Sequence, residues 1–447
     1  MKSRFSFVLL SVLWSVLILS PVGANDKADC DVLVVGGSGT GATAAIQSAR
    51  LGAKTILLEI SHKMGGTNVM SGVTSIHVFG AWNRQIIGGI PWEIMEEMAS
   101  LGGARLPDLS VSYGRNQGKA AVNVQPDLYS IVLEDKCLVA GVELRYFEAP
   151  SSVKAINDDS GFHWQVTTSA MGKLRQIRCR EMIDCTGNGA LCALAGAQRM
   201  KDEKDQQPGT FSYRISHRIN LDKLSKEQRA LIQNRYEEAL KNGTLKWGDA
   251  RQGIFVSLKS TASNYVFKAD NSTAELRSET NMRGRQSALR MLKFIRSLPG
   301  GEDASLKSAC EEVGVRETWR VKGEYIITVD DYIGGTKWPD SIAYSFYPVD
   351  PHVEGPTAPG HLKTGVIPTI PFRALVPQGV DHLQVAGRCI SSDHLANSSL
   401  RVQATCMAGA QATGAAAALA VRHKTTPLKV DIEELKQTLR QYKAIIP

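Results

Sequence analysis

The plainest chemistry in this chain lies in residues 31–59, DVLVVGGSGTGATAAIQSARLGAKTILLE. Gly36-Gly37-Ser38-Gly39-Thr40-Gly41 is a run of small residues whose backbone N–H groups can face an anion. Glu59 adds a carboxylate able to accept hydrogen bonds from a ribose diol. Together they suit a dinucleotide. In the G-x-G-x-x-G frame the glycines fall at 36, 38 and 41, and position 38 is serine. Either Gly39 supplies the close approach instead, or Ser38 itself bonds a phosphate oxygen.

The elements around this run would position it. Residues 32–35 are a continuous apolar stretch, the pattern of a buried parallel strand. Residues 42–51 suit a helix with a small face toward a sheet, and Gly52 stops it. Residues 54–58 form a second strand, with Glu59 at its end. A pyrophosphate can then rest on the helix N-terminus, where the dipole favours an anion. A glycine-rich turn with no ligand is the weaker reading, because strand, turn, helix and acid all occur in order.

Gly65-Gly66-Thr67-Asn68 follows, a second glycine pair that lets backbone pass near a ligand. A helix is predicted over 91–101, then a polar, glycine-rich loop over 102–123 that suits a mobile cover for a site. Residues 126–140 read as a helix and 142–148 as a strand. Runs at 152–157, 163–168 and 173–180 read as an antiparallel meander. Residues 182–184 lead into Cys185-Thr186-Gly187-Asn188-Gly189, another strand ending in a glycine turn. From about 206 to 368 the style changes to aromatics, isolated strands and helices, as in an inserted domain. Ser225 and Gln228 make a capping box there. Residues 287–298 suit an amphipathic helix with Leu289, Leu292 and Ile295 inward. The opening style returns at the strand 383–386, its turn Gly387-Arg388, and a long Ala/Gly/Thr helix over 400–421. Asp431 and Glu434 cap a last helix.

Lys2 and Arg4 precede an apolar run over 7–19, and Val22-Gly23-Ala24 follows Pro21. This reads as a secretory signal peptide cut after Ala24, too short for a span of about 20 residues. An uncleaved anchor is the alternative. No later apolar run of spanning length is evident. Export from the cytoplasm, to periplasm or medium, is expected, without stable membrane insertion after cleavage. The net charge of +8 is spread along the 447 residues. Lys173, Arg175, Arg178 and Arg180 alternate as on a guarded sheet edge, with no interleaved aromatics, so nucleic acid is not an expected partner. The eight cysteines show no C-x-x-C, and the nine histidines show no metal spacing, so no metal site is expected.

Four stretches together resemble the FAD-dependent oxidoreductase family of two-dinucleotide-fold flavoproteins, the group of glutathione and fumarate reductases. They are DVLVVGGSGTGATAA with LLE, GGTN, MIDCTGNGALCALAGA, and VAGRCISSDHLANSSLRVQATCMAGAQATGAAAA. A fifth, VGVRETWRVKGEYIITVDDYIGGTKWPDSIAYSFYPVDPH, resembles that family's substrate-domain signature. The likeness implies an α/β fold: a glutathione-reductase-like FAD-binding Rossmann domain with an antiparallel meander, plus an inserted α+β substrate domain. It implies non-covalent FAD. The FAD domain would take 25–90, 125–205 and 370–425, the cap 91–124 and 206–369, and the C-terminal helix 426–447. By position, Gly36, Gly37, Ser38, Gly39, Thr40 and Gly41 would cradle the pyrophosphate and Glu59 the adenosine ribose. Gly65, Gly66 and Thr67 would run toward the flavin, and Val153 would hold adenine through its backbone. Thr186 and Gly187 would form one turn against the cofactor, with Asn188 where an aspartate is usual. Gly387 and Arg388 would form another, again without its usual acid. The long helix would aim its N-terminus, at Arg401 and Val402, toward the flavin.

The resemblance makes hydride or two-electron transfer between a small molecule and flavin N5 the leading expectation. Arg316, Arg320, Arg373 and Arg401 are candidate anchors for an anionic or oxygen-rich substrate. Tyr347, Asp350, His352 and His394 are candidates for proton transfer. His352 leads, because Pro348 and Pro351 stiffen its loop, and titration near the reference imidazole value of about 6.5 is expected of it. Two rivals remain: a flavin-containing isomerase or lyase, and a non-catalytic secreted binding protein on a degenerate scaffold. Nicotinamide nucleotide is disfavoured, since no second glycine fingerprint is clear.

Overall fold

The computed structural model describes residues 27–113, 117–156, 159–202, 206–259, 261–352 and 360–447. The expected signal peptide lies outside the described residues. Strand β1 (Lys27–Val35), helix α1 (Gly39–Arg50) and strand β2 (Thr55–Glu59) form the unit predicted around the glycine run. Residues 32–35 of β1 are buried, because α1 and its neighbours cover one face and the meander side the other. That double burial is why the run is apolar without alternation.

Helix α2 (Pro126–Val139) leads to β3 (Glu143–Tyr146) and β4 (Glu148–Ala155). One strand is expected over 142–148, but the chain turns between β3 and β4 at Phe147, whose φ is 55°. Strands β5 (Trp164–Ala170), β6 (Lys173–Asp184) and β7 (Leu383–Val385) complete one sheet. Its parallel part runs β3-β2-β1-β6-β7. The antiparallel part, β6-β5-β4, is the predicted meander. The last meander strand and the strand before the Thr186-Gly187 turn are one continuous strand. β6 pairs with β5 over 173–179 and with β7 over 182–184.

This makes β6 an interior strand, which corrects the reading of its basic residues as edge guards. Arg178 and Arg180 reach across to the paired strand β1. They meet Asp29 at 2.6 Å and Asp31 at 2.5 Å, and both guanidiniums lie over the Phe162 ring.

Helix α3 (Gln403–His423) packs along α1. A Cβ at Gly414 would lie 2.3 Å from the Ala44 carbonyl oxygen, so the two helices approach backbone to backbone. Ser48 Oγ donates to the Gly414 oxygen at 3.0 Å in the same seam. α3 is long and apolar enough to cross a membrane, contrary to the expectation of no such later run. Its residues are packed inside the protein. It begins later than predicted because His394–Leu400 is a separate short helix, with Val402 as the N-cap of α3.

A second body holds an antiparallel sheet of Gly209–Ser216, Ala262–Val266 and Ser305–Ala309. Helices Lys226–Lys241 and Ala274–Arg296 cover it, and Phe211, Ile232, Met291 and Phe294 share its core. The Ser225–Gln228 capping box is reciprocal. The Ala274–Arg296 helix starts well before the predicted 287. Its inward stripe is Gly284, Ser287, Ala288, Met291, Phe294 and Ile295, while Leu289 is exposed on the opposite face.

The described residues of 91–124 do not pack in that core. Helix Gly89–Ser100 buries Ile90, Ile94, Met95 and Met98 in one cluster with Val32, Val34 and Ala45. Val122–Asn123 pairs with Ser75–Ile76. Likewise Ile327, Tyr332, Ile342 and Phe372 pack with Ala412 and Ala416 of α3. Helix Ile432–Gln441 buries Leu435 and Leu439 there, and Asp431 caps it through the Glu434 N–H.

Candidate active site

A cavity of about 740 Å³ runs from the end of β2 past the glycine turn to the start of α3. Each predicted glycine is tested by what a side chain would meet. A Cβ at Gly41 would lie 1.8 Å from the Gly36 carbonyl oxygen, and one at Gly36 2.5 Å from the Cys185 oxygen. One at Gly37 would lie 2.9 Å from Glu59 Oε2, and one at Gly66 2.9 Å from the Ser38 Cβ. The turn, the second glycine pair and the Thr186 turn are therefore stacked at backbone contact. Gly65 N–H donates to the Gly37 oxygen at 2.9 Å, which ties the second pair to the first.

Ser38 is the N-cap of α1, yet its side chain makes no capping bond, and it faces the cavity. That fits the reading in which its hydroxyl serves a phosphate. Glu59 accepts the Gly37 N–H at 2.6 Å and the Ser61 N–H at 2.7 Å. Its carboxylate thus holds the turn, and each oxygen keeps a lone pair for a ribose. Thr40, Gly65, Gly66 and Thr67 also line the cavity, with Thr186, Gly187, Gly387, Arg388 and Val402. Thr186 Oγ1 donates to Asp184 Oδ1 at 2.7 Å, and Asn188 Nδ2 donates to the Asn271 oxygen at 3.2 Å. Arg388 Nη2 donates to Asn271 Oδ1 at 3.1 Å, while its buried Nε has no partner.

Val153 does not reach the cavity. It sits mid-strand, paired with Val166 and packed beside the buried face of the meander. β4 starts at Glu148, earlier than expected, so Glu148, Ala149 and Pro150 line that end instead. The loop 102–123 contributes nothing to the cavity among its described residues. Leu109, Val111 and Tyr113 pack around Trp82 and Phe346 elsewhere.

At the other end the cavity is lined by Ser75, His77, Arg316, Tyr347, His352, Arg401 and Gln403. His352 is held in the left-handed region, φ 44°, rare for a side chain of its size. Its Nδ1 lies 2.8 Å from Tyr265 Oη and its Nε2 2.9 Å from Asp350 Oδ2. Asp350 accepts, so Nε2 carries the proton and Nδ1 takes the Tyr265 hydroxyl. Burial pushes the His352 pKa down to about 4, against the opposing pull of Asp350. The expected titration near 6.5 is therefore corrected. Burial raises Asp350, but His352 and the charges of Arg401 and Arg316 hold it below the ordinary carboxylate value. Asp350 stands behind His352 rather than in the cavity.

Arg316 donates to the Pro208 oxygen, and burial with Arg401 and Arg251 pushes its pKa down to about 9. Burial lowers Arg401 and raises Tyr347. Three other sequence candidates lie outside the cavity. Arg373 pairs with Asp340 at 2.8 Å and lies over the Tyr325 ring. Arg320 bonds Glu317, Asp202 and the Ser392 oxygen. His394 Nδ1 meets Glu317 Oε1 at 2.9 Å in that same cluster, and this bond raises its pKa. Asp202, Glu317 and His394 are close enough to share a cation. Arg320 already sits among them.

Sequence reasoning missed His77, Tyr265, Asn271 and Gln403. His77 is the one histidine in the aperiodic stretch 71–89, and its ring meets Tyr347 edge-on at 5.4 Å. Burial, then Arg401, lowers its pKa. Asn68 Nδ2 donates to Gln403 Oε1 at 2.7 Å, which joins the second glycine pair to the start of α3. Only the fold brings these together.

The model of the family described as FAD dependent oxidoreductase matches residues 31–439. The chain belongs to this family.

No curated protein sequence matches the chain. Similar solved structures include a geranylgeranyl bacteriochlorophyll reductase-like protein from Thermoplasma acidophilum, 14% identical with a TM-score of 0.40. It covers 93% of this chain and 83% of its own. An anhydrotetracycline hydroxylase from Streptomyces rimosus is 14% identical at a TM-score of 0.42, over 92% and 64%. A p-nitrophenol 4-monooxygenase from Pseudomonas putida is 10% identical at 0.38, over 93% and 83%.

As a member of the family the protein is an FAD enzyme with an α/β, Rossmann-type fold. The residues present fit the cofactor. The glycine cradle has no room for side chains, the Ser38 hydroxyl does not cap, and Arg388 keeps an unpartnered Nε. Gly36 to Gly41, Glu59, Arg388 and the second glycine pair would hold FAD, with Val402 at the α3 N-terminus.

Proposed function

We propose that this is an exported oxidoreductase that moves two electrons between a small molecule and bound FAD. The observation that carries the reading is continuity. One cavity joins the cofactor cradle to a polar end with two arginines and a neutral histidine. Export rests on the charged start, the short apolar run and the small residues before Asn25. When bound, FAD supplies the redox chemistry, taking a hydride at N5.

The chain's own residues supply position and proton transfer. His352 is neutral above a pKa of about 4 and is able to take a proton at Nδ1. Tyr265 Oη occupies that nitrogen, so a proton arrives as the hydroxyl passes its own on or swings away. Asp350 at Nε2 stabilises the resulting imidazolium.

An anaerobic screen of small metabolites tests the proposal. Bleaching of the flavin, with recovery in air, supports it. Turnover of a substrate without bleaching would favour an isomerase or lyase.

A further inference from the structure

Several half-buried arginines in this protein are matched with carboxylates. Arg50 meets Glu93, Arg175 meets Glu148, Arg277 meets Glu312 and Arg290 meets Asp249. The substrate end of the cavity departs from that pattern. Arg316 has a backbone oxygen, that of Pro208, and the ring of Tyr265 at 5.1 Å. Among the described residues, Arg401 has a long 3.5 Å contact to the Asp350 backbone oxygen, and its buried Nε has no partner. Arg251 lies 4.0 Å over the same Tyr265 ring, and its Nε is also unpartnered. The nearby carboxylate, Asp350, spends Oδ2 on His352. Among the described residues, three cations thus gather near Asp350 beside a neutral histidine, with Glu317 acting on Arg401 as well.

Crowding like charges in a low-dielectric site is costly unless a counter-charge is brought in. Burial depresses the pKa of both Arg316 and Arg401, and at Arg316 the charges of Arg401 and Arg251 add to the effect. Two guanidinium forks that open into the cavity match the planar, bidentate geometry of a carboxylate. We infer that the substrate is a small carboxylic acid whose carboxylate is seated by Arg316 and Arg401. This rests on the reading of the cavity as a substrate site, and it narrows that reading to one chemical class. Arg251 acts from behind Tyr265 and does not line the cavity. It adds field rather than contact.

The test titrates the FAD-loaded protein with matched acid and amide pairs: acetate, glycolate, pyruvate and benzoate against their amides. Perturbation of the flavin absorbance and the thermal midpoint are both read. The expected result is saturable binding of at least one acid, with its amide at least about tenfold weaker, the size of one lost charged hydrogen bond. Arg316→Gln and Arg401→Gln should each weaken that acid by about tenfold or more with flavin still bound. Should Arg401→Gln lose flavin, Arg316→Gln carries the comparison. Equal binding of acid and amide, equal competition by inorganic sulfate, or unchanged affinity in Arg316→Gln would overturn the assignment. An acid that binds with the expected selectivity but never bleaches the flavin supports the carboxylate seat. That outcome would count against the redox reading alone.

Discussion

At the scale of single residues, the cradle and the proton site make opposite demands. Position 41 tolerates no side chain, because even a methyl group would sit 1.8 Å from the Gly36 carbonyl oxygen. Gly41→Ala should already purify with little flavin, and Gly41→Trp with none, as read by absorbance of the isolated protein. Glu59→Ala should weaken FAD by roughly ten- to a hundredfold, since hydrogen bonds to a charged group are worth about 1.5–3 kcal/mol each. It also frees the Gly37 and Ser61 N–H groups. His352→Ala should keep its flavin and slow substrate-driven reduction by about a hundredfold or more. The active base is the neutral ring, so the rate should fall only as pH drops through about 4. A break near the reference value of about 6.5 would point to a less buried group. The glycines were legible from sequence because their spacing encodes a backbone contact. Arg373 and His394 misled because residue type does not say which way a side chain faces, and Val153 because β4 begins earlier than the pattern suggested, at Glu148. Tyr265 was invisible because its partner His352 is brought to it from a distant part of the chain.

At the scale of elements, the site depends on helices laid against each other through small residues. The α1–α3 seam at Ala44 and Gly414 lets both helix N-termini reach the same cavity. Gly414→Leu should force them apart. Overpacking typically costs about 1–3 kcal/mol, so the thermal midpoint should drop and flavin should be lost with it. A midpoint equal to the parent's would show that the seam is not tight. The Ala, Gly and Thr content of α3 announced this packing in the sequence. The start of α3 was harder to place, because the break after His394–Leu400 carries neither proline nor glycine. The inward face of Ala274–Arg296 was misjudged for a related reason. Gly284 and Ser287, which pack against the core, do not look apolar.

At the scale of the molecule, the second body meets the FAD-binding part around Asn271, which takes hydrogen bonds from both Asn188 and Arg388. Those are the two positions where an acid is usual in the family resemblance, and here both turn toward the inserted body. The fold class was legible because strand, turn and helix signals recur in chain order. The packing of 91–124 was not, because burial of that stretch comes from helices far along the chain. All eight cysteines are free thiols, and of these only Cys310 is not fully buried. Thiol titration should find at most about one reactive group in the folded protein and eight after denaturation. The central claim is that this cavity carries out substrate-driven reduction of FAD. Anaerobic stopped-flow absorbance of the purified yellow protein mixed with its acid substrate tests that most directly. The account predicts rapid bleaching that reverses in air and is slowed about a hundredfold in His352→Ala. Product formation with the flavin spectrum unbleached throughout would contradict it.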